Sequence, residues 1–363
     1  MNSLLYSSLV AFCVSGGLMP IASKLSRHLG AVSDTGGRHV GEVPIGRLGG
    51  IGVLLGCLVA LLFSGWADVP FRKALIDYKI QAAGIIISLG IVAAIGFWDD
   101  VSRLSATVKF GFQIVATLVL YVCGVRFSAI DLPLLEPFQL GWFSLPITIL
   151  WVVGMINAIN LIDGLDGLAG GVVIFAATIN LVVACVSNSV ITATLMSTIV
   201  GAVVGFMLFN WYPAKIYLGD GGAYSMGLII AVGGLISPMQ KISTGVSIIV
   251  PVLAAGLPII DTILVVIRRI LSKRGIFSPD RGHLHHILLD SGISHRRVVI
   301  GLYFICCIFC STALILVINR NRILGCFLIA SSITGAIFWG LAAKKELALS
   351  LIKIKQGFLQ SKK

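Results

Sequence analysis

Residues 146–167 read PITILWVVGMINAINLIDGLDG, an apolar run that ends in evenly spaced polar side chains. The run predicts a membrane-spanning helix over 146–162, because its neighbouring segments are equally apolar. Its end carries four polar residues at intervals of three: Asn157, Asn160, Asp163 and Asp166. Residues at this spacing share one broad helical face. Polar groups gathered on one face of an apolar span are costly, so the stretch predicts a functional site at a helix end.

The composition of the whole chain extends this interpretation. Of the 363 residues, 57% are hydrophobic and only 12% are charged, whereas soluble globular proteins carry about 25% charged residues. The sequence therefore predicts an all-α polytopic membrane protein with about eleven membrane-spanning helices. The predicted spans are 4–22, 48–66, 81–98, 108–125, 146–162, 168–186, 190–211, 223–239, 246–270, 298–318 and 323–342. They form one integral membrane catalytic domain over 1–342, followed by a basic tail over 343–363.

The distribution of basic residues predicts the orientation. If the N-terminus lies outside, most of the 27 Lys and Arg residues fall in cytoplasmic connections and in the C-terminal tail. The N-terminus is therefore expected outside and the C-terminus in the cytoplasm. The net charge of +12 is then explained by anionic lipid headgroups and an anionic substrate, without nucleic acid. Span 246–270 contains Pro251 and Pro258 and exceeds the membrane thickness, so a broken or tilted helix is expected there.

In this topology the acidic residues gather at one membrane boundary, the cytoplasmic one. The acids are Asp99, Asp100, Asp163, Asp166, Asp220 and Asp261. They would repel one another without a cation, which points to a divalent metal. Glycines flank Asp220 on both sides, which permits close approach of the backbone to a ligand but also suits a simple turn.

A second cluster lies in the long basic loop that follows span 246–270. It consists of Arg281, His283, His285 and His286. Histidine is a good zinc ligand, so a zinc site is one interpretation. The separate group of hard carboxylate oxygens instead favours Mg²⁺ on the acids and a diphosphate on the Arg and His side chains.

The glycine run Gly46, Gly49, Gly50, Gly52 and Gly56 also has two interpretations. It superficially resembles a nucleotide-binding loop. No predicted strand precedes it and an apolar span follows it, which favours close helix packing through small residues.

Taken together, these motifs resemble those of the polyprenyl-phosphate N-acetylhexosamine-1-phosphate transferases. The matching residues are Arg38, His39, Pro44, Arg47, Gly49 and Gly50; Asp99, Asp100 and Lys109; 157–167; 218–220; Pro258 and Asp261; and 278–286. The last motif is similar to that of the GlcNAc-1-phosphate branch, because the three adjacent histidines of the MurNAc-pentapeptide branch are absent. Ala223 stands where the family often has Ser, which leaves the hexosamine open.

The resemblance implies transfer of an N-acetylhexosamine-1-phosphate, GlcNAc-1-phosphate first of all, from a UDP-sugar to undecaprenyl phosphate. UMP would leave, and the product would initiate a cell-envelope glycan such as a cell-wall polymer or lipopolysaccharide O antigen. The implied location is the bacterial inner membrane, with a cytoplasmic active site. Membrane lipids are the other expected partners, and a homodimer is left open.

The resemblance also implies roles for individual residues. Asn160 and Asp220 would ligate Mg²⁺, with Mn²⁺ as the alternative metal. The implied catalytic residues are Asp99, Asp100 and Asp163. The implied substrate-binding residues are Lys109, Asp166, Arg281, His283, His285, His286, Arg47 and Asp261.

Two alternatives come from other classes of membrane protein. A CDP-alcohol phosphotransferase also uses clustered Asp and Gly, as in 163–167, but it needs an Arg and further aspartates that 168–189 lacks. A polyprenyl-lipid transporter would place its ionisable groups at the bilayer midplane rather than at one surface.

Overall fold

The structure is a computed structural model that describes residues 2–33, 44–130, 138–236, 249–271, 284–319 and 331. Its regular elements are almost entirely helical, as expected for an all-α membrane protein. The helices are α1 (Asn2–His28), α2 (Gly49–Ala67), α3 (Val69–Asp77), α4 (Lys79–Ser102), α5 (Ala106–Val122), α6 (Ser144–Ile162), α7 (Leu168–Val186), α8 (Val190–Asn210), α9 (Gly219–Ile236), α10 (Ile249–Ala254), α11 (Gly256–Leu271), α12 (Leu284–Asp290) and α13 (His295–Asn319). Strands β1 (Ala129–Ile130) and β2 (Phe138–Gln139) pair antiparallel between α5 and α6.

Within the described part of the chain, eight helices are long and apolar enough to cross a membrane, and α5 and part of α11 are shorter apolar helices. Helices are present at every predicted span that the described residues cover. The span over 323–342 and the tail over 343–363 lie outside those residues. The total of eleven spans and the orientation of the termini therefore stay predictions.

The expected break in span 246–270 is present. Helix α10 ends at Ala254 and α11 begins at Gly256. Pro258 has no N–H with which to reach the Ala254 carbonyl, so one helical hydrogen bond is missing at this point. The span is thus divided into two helical pieces close to Pro258, whereas Pro251 lies within the first turn of α10.

Helix α9 is the central helix of the bundle. Within its apolar 18-residue window, 89% of the residues are buried, more than in any other described span. Its glycines permit close packing on several sides, because a Cβ on Gly222 would lie 2.8 Å from Gly50 Cα. On another side, a Cβ on Gly227 would lie 2.6 Å from Ile156 Cα. Small residues therefore set the distances between α9 and its neighbours α2 and α6.

The glycine run of α2 confirms the helix-packing interpretation. A Cβ on Gly56 would lie 2.9 Å from the Ala11 carbonyl oxygen, and one on Gly50 would collide with Gly222. At the start of α2, the N–H groups of Gly49 and Gly50 donate to backbone carbonyls of the α8–α9 connection, at 3.0 and 2.9 Å. The run therefore anchors α2 to α1 and to the start of α9.

Candidate active site

The turn between α4 and α5 brings an acid and a base together. Asp99, in the last turn of α4, accepts a 2.6 Å hydrogen bond from the Leu104 N–H through Oδ1. Its other oxygen, Oδ2, lies 2.7 Å from Nζ of Lys109, in the first turn of α5. Lys109 Nζ also lies 4.0 Å from Asp220 Oδ2, and the Asp99 and Asp220 carboxyl groups contact each other. One lysine thus faces two carboxylates from different helices.

The packing of α6 against α9 places Asp163 near Asp220. The two helices are antiparallel and meet where Gly227 contacts Ile156. Asp163 follows Ile156 by seven residues, and Asp220 precedes Gly227 by seven residues. The two aspartates therefore lie at about the same level of this antiparallel helix pair. Asn160 is half-buried and lies one turn before Asp163, at the same end of α6.

The charged cluster consists of Asp99, Asp100, Asp163, Asp220, Lys109 and Arg47. Its charges affect the pKa of the Asp163 carboxyl group. Burial raises the pKa of the Asp163 carboxyl well above its ordinary value, and the negative charges of Asp220 and Asp100 raise it further. The positive charge of Arg47 acts in the opposite direction but does not compensate for them. A cation bound beside these carboxylates would favour their charged forms.

Asp100, although adjacent to Asp99, has different partners. Its Oδ1 accepts the Asp220 N–H at 2.9 Å, and its Oδ2 accepts the Gly221 N–H at 3.0 Å. Both N–H groups belong to the first turn of α9, where no helical carbonyl is available to them. Asp100 is buried, with 6% of its surface exposed, and thus binds the backbone of α9.

The connection between α6 and α7 is held by hydrogen bonds to neighbouring loops. Asp166 Oδ2 accepts the Ala214 N–H at 2.9 Å. Asn210 bridges two loops, because its Oδ1 accepts the Gly167 N–H and its Nδ2 donates to the Ile216 carbonyl, both at 2.9 Å. The segment that carries Asp163 and Asp166 is thereby tied to the segment that leads to Asp220.

Further contacts to this connection come from α13. The Tyr303 hydroxyl donates to the Gly167 carbonyl at 2.5 Å. Sequence reasoning missed Tyr303 and also Asn210. The position of Asn210, a polar residue at the end of an apolar span, was the available signal.

Arg47 is positioned by the segment that precedes α2. Gly46 forms isolated bridges with Val32 and with Ile216 of the α8–α9 connection. The Arg47 carbonyl packs against Gly219, whose φ of +77° favours glycine and whose Cβ would collide with that carbonyl. The backbone of Arg47 therefore lies beside the start of α9.

The remaining predicted residues lie in α11, in α12 or outside the described residues. Asp261 is buried in α11, and its Oδ1 accepts the Leu284 N–H at 2.8 Å, at the start of α12. His285 and His286 belong to α12, of which the backbone alone is described at these positions. Arg281 and His283 lie outside the described residues, so the roles of these four residues stay predictions.

The donor set of the cluster fits a hard divalent cation. Among the residues that the structure describes, no group of three His, Cys, Asp or Glu side chains is arranged to hold a metal. The zinc interpretation concerns the histidines of 283–286, whose side chains lie outside the described part of the chain. Mg²⁺ binds through one or two carboxylates, keeps several waters and takes further oxygens from substrate phosphates. The site matches this magnesium pattern, because the Asp99 and Asp220 carboxyl groups are adjacent and Asn160 lies nearby.

An apolar groove of about 430 Å³ runs along α4 and α5. It is lined by Ile87, Gly90, Ile91, Ala94, Ile95, Trp98 and Phe112. Asp99 lies four residues after Ile95 and Lys109 lies three residues before Phe112, so each charged residue shares a helical face with the groove. Neither charged side chain lines the groove, but both belong to residues within about one helical turn of it.

Comparison with known proteins places the chain among enzymes. Residues 82–237 match the family described as Glycosyl transferase family 4. The chain is 35% identical over 300 residues to the probable undecaprenyl-phosphate N-acetylglucosaminyl 1-phosphate transferase of Bacillus subtilis, covering 82% of this chain and 81% of that protein. It is 30% identical over 327 residues to the decaprenyl-phosphate N-acetylglucosaminephosphotransferase of Mycobacterium tuberculosis, covering 82% and 78%. It is 28% identical over 331 residues to the phospho-N-acetylmuramoyl-pentapeptide-transferase of Halalkalibacterium halodurans, covering 86% and 97%.

Fold, charged cluster and relatives together define a multi-pass membrane transferase. The chain belongs to glycosyl transferase family 4, and its relatives include polyprenyl-phosphate GlcNAc-1-phosphate transferases. This membership confirms the family resemblance of the sequence motifs. It also argues against the CDP-alcohol phosphotransferase and transporter alternatives.

Proposed function

We propose that the protein transfers N-acetylhexosamine-1-phosphate, with GlcNAc-1-phosphate as the preferred group, from a UDP-sugar to undecaprenyl phosphate. The observation that carries the proposal is the arrangement of Lys109 against Asp99 and Asp220, at 2.7 and 4.0 Å. The lysine can bind a phosphate oxygen directly, and the carboxylate pair can hold a divalent cation that binds a second anionic group. The names of the Bacillus and Mycobacterium relatives support the same sugar and the same class of acceptor.

The reaction is a phosphoryl transfer, which depends on positioning and charge neutralisation. An oxygen of the lipid phosphate attacks the β-phosphorus of the UDP-sugar and forms a new P–O bond. The bond between that phosphorus and the bridging oxygen breaks, and UMP leaves with the electron pair. The lipid product carries a diphosphate that links the polyprenol to the sugar.

Residues of the cluster hold the two substrates in this reaction. Lys109 binds a phosphate oxygen and offsets its charge, while Asp99 accepts a proton from the lipid phosphate or orients it. The second pKa of such a phosphate is about 6, so proton removal contributes only modestly at neutral pH. Mg²⁺, when held by Asn160 and Asp220, supplies charge neutralisation at the diphosphate. Mn²⁺ could replace it at these oxygen ligands.

The nucleotide portion is assigned to the loops around the cluster. Arg47 beside the start of α9 supplies a second positive charge for the diphosphate. Asp163 and Asp166, in the connection after α6, support uridine or metal binding. Arg281, His283, His285 and His286 are proposed to cover the diphosphate from the loop before and within α12, and Asp261 ties α11 to the start of that helix.

The lipid acceptor approaches from the bilayer. The groove along α4 and α5 suits the prenyl chain, because it is apolar and ends within about one helical turn of Asp99 and Lys109. The phosphate would then lie at Lys109, while the chain follows Ile95 and Ile91 into the membrane. The broken span formed by α10 and α11 is the competing route, and variants in the groove distinguish the two.

The distribution of basic residues supports a cytoplasmic active site, and the bacterial relatives support an inner-membrane location. The product would initiate a cell-envelope glycan. A homodimer stays open.

The decisive experiment measures UMP release by the purified protein in detergent with UDP-GlcNAc, undecaprenyl phosphate and Mg²⁺. We expect release that requires both substrates and that stops with EDTA and resumes with added Mg²⁺. Asp99→Asn should reduce the rate of release, whereas Asp77→Asn, a substitution of an exposed acid at the end of α3, should leave it unchanged. Release from another UDP-hexosamine alone would change the sugar but keep the mechanism, and a phosphorylated enzyme intermediate would replace direct attack. Folded protein that releases no UMP with any UDP-sugar would overturn the proposal.

A further inference from the structure

The two adjacent aspartates at the end of α4 differ in what they contact. Asp99 faces Lys109 and the Asp220 carboxyl group, at the place where substrates are proposed to bind. Asp100 directs both of its oxygens to backbone N–H groups of α9. Neighbouring residues of a helix point about 100° apart, and here the two carboxylates reach different groups of α9.

The hydrogen bonds of Asp100 satisfy the start of α9. The first N–H groups of a helix have no partner inside that helix, and a carboxylate there is favoured by the helix dipole. Asp100 accepts two of these N–H groups, from Asp220 and Gly221, at 2.9 and 3.0 Å. It therefore acts as a cap for α9 that is supplied by another helix.

The backbones of α4 and α9 are in close contact around this cap. A Cβ on Gly219 would lie 2.7 Å from Asp100 Oδ2. One turn earlier on α4, a Cβ on Gly96 would lie 2.5 Å from Gly221 Cα. Glycine at these positions allows α4 to touch α9, and the Asp100 carboxylate fills the remaining space against the backbone of Asp220 and Gly221.

We infer that Asp100 is a positioning residue that fixes Asp220, and that Asp99 alone of the pair touches the reacting groups. The kinetic consequences of this inference rest on the proposed function, in which Asp220 is a ligand of Mg²⁺. The structural part, a cap that orders the first turn of α9, is independent of the reaction. Asp100 affects transfer through the position of the Asp220 carboxylate.

Backbone exchange tests the structural part. Hydrogen–deuterium exchange of the protein in detergent should become faster over 219–224 in Asp100→Asn, because an Asn side chain can accept only one of the two N–H groups well. The matched variant Asp99→Asn should leave exchange in this segment unchanged. Unchanged exchange in Asp100→Asn would overturn the inference, whether or not the protein proves to be a transferase.

Metal binding and kinetics test the functional part. Binding of Mn²⁺, followed by its electron paramagnetic resonance signal, should weaken about tenfold in Asp100→Asn. The Mg²⁺ concentration for half-maximal UMP release should rise by a similar factor, while the shape of the pH profile stays that of the wild type. In the Asp220→Asn background, Asp100→Asn should have little further effect, because two residues that act through one group are not additive.

Additive losses together with a changed pH profile would instead assign Asp100 a direct role in proton transfer. If Asp100→Asn does not fold, Asp100→Glu, which keeps both oxygens but lengthens the side chain, allows the same measurements. If the wild-type protein is inactive but exchange over 219–224 is faster in Asp100→Asn only, the proposed function is rejected and the structural role of Asp100 is retained.

Discussion

Lys109 and Asp99 form an ion pair, with 2.7 Å between Nζ and Oδ2, at the turn that joins α4 to α5. The pair is partly buried, since 23% of the Lys109 side chain and 6% of the Asp99 side chain are exposed. Lys109 is also close to Asp220, so its charge serves two carboxylates as well as an incoming phosphate. This arrangement makes the lysine the most informative first substitution.

Lys109→Met should lower kcat/KM for UMP release about 100- to 1,000-fold, the range seen when one preorganised donor to a developing charge is removed. Lys109→Arg should recover part of the activity, because it restores the charge but not the compact ammonium geometry. The control is Lys73→Met, at an exposed position in α3. Steady-state kinetics with both substrates provide the measurement, and a Lys109→Met enzyme within threefold of wild type would contradict the assignment.

Asp99→Asn should impair transfer more at low pH than at high pH. At pH 8 nearly all of the lipid phosphate has lost its second proton, whereas at pH 5.5 only about a quarter has, given a pKa of about 6. An enzyme without the base can use only the deprotonated fraction. The ratio of wild-type to variant rate should therefore grow about fourfold between pH 8 and pH 5.5. A ratio that is constant over this range would limit Asp99 to a role in orientation.

Gly90→Leu should raise the KM for undecaprenyl phosphate about tenfold, because a Cβ at this position would have no neighbouring protein atom within 4 Å and the Leu side chain would occupy part of the groove. The KM for the UDP-sugar should stay constant, and a short-chain acceptor should be less affected. Gly17→Leu in α1, which is equally free of neighbours but lies outside the groove, is the matched control. An unchanged lipid KM would direct attention to the α10–α11 route.

Asn210→Leu should lower the midpoint of thermal unfolding in detergent and raise the KM for the UDP-sugar. The substitution removes both hydrogen bonds of Asn210 and leaves the Gly167 N–H and the Ile216 carbonyl without their partner. Each buried group that loses its partner costs about 1–3 kcal/mol. Asn180→Leu is the control, because the amide of Asn180 is also buried but bonds only to Ala176 in its own helix. Equal effects of the two variants on the KM for the UDP-sugar would show that Asn210 does not order the α6–α7 and α8–α9 connections for substrate binding.

The spans were predictable because each depends on local composition. Helix α8 covers Val190–Asn210, close to the predicted 190–211, since an apolar run of that length has few alternatives to a helix. The break near Pro258 was predictable for a similar reason, since the missing N–H is a property of the residue itself. The connections were less predictable. The bridges from Gly46 to Val32 and Ile216, which lie far apart in the chain, leave no local pattern.

The sequence alone determined that this is a membrane protein, where its helices lie, and that acidic residues cluster at the ends of α4 and α6 and at the start of α9. Hydropathy and helical spacing are sufficient for those conclusions. Only the tertiary structure decided which of two adjacent aspartates faces Lys109 and which binds the start of α9. That choice depends on the rotation of α4 about its own axis, which is set by the contact of Gly96 with Gly221 more than a hundred residues later in the chain.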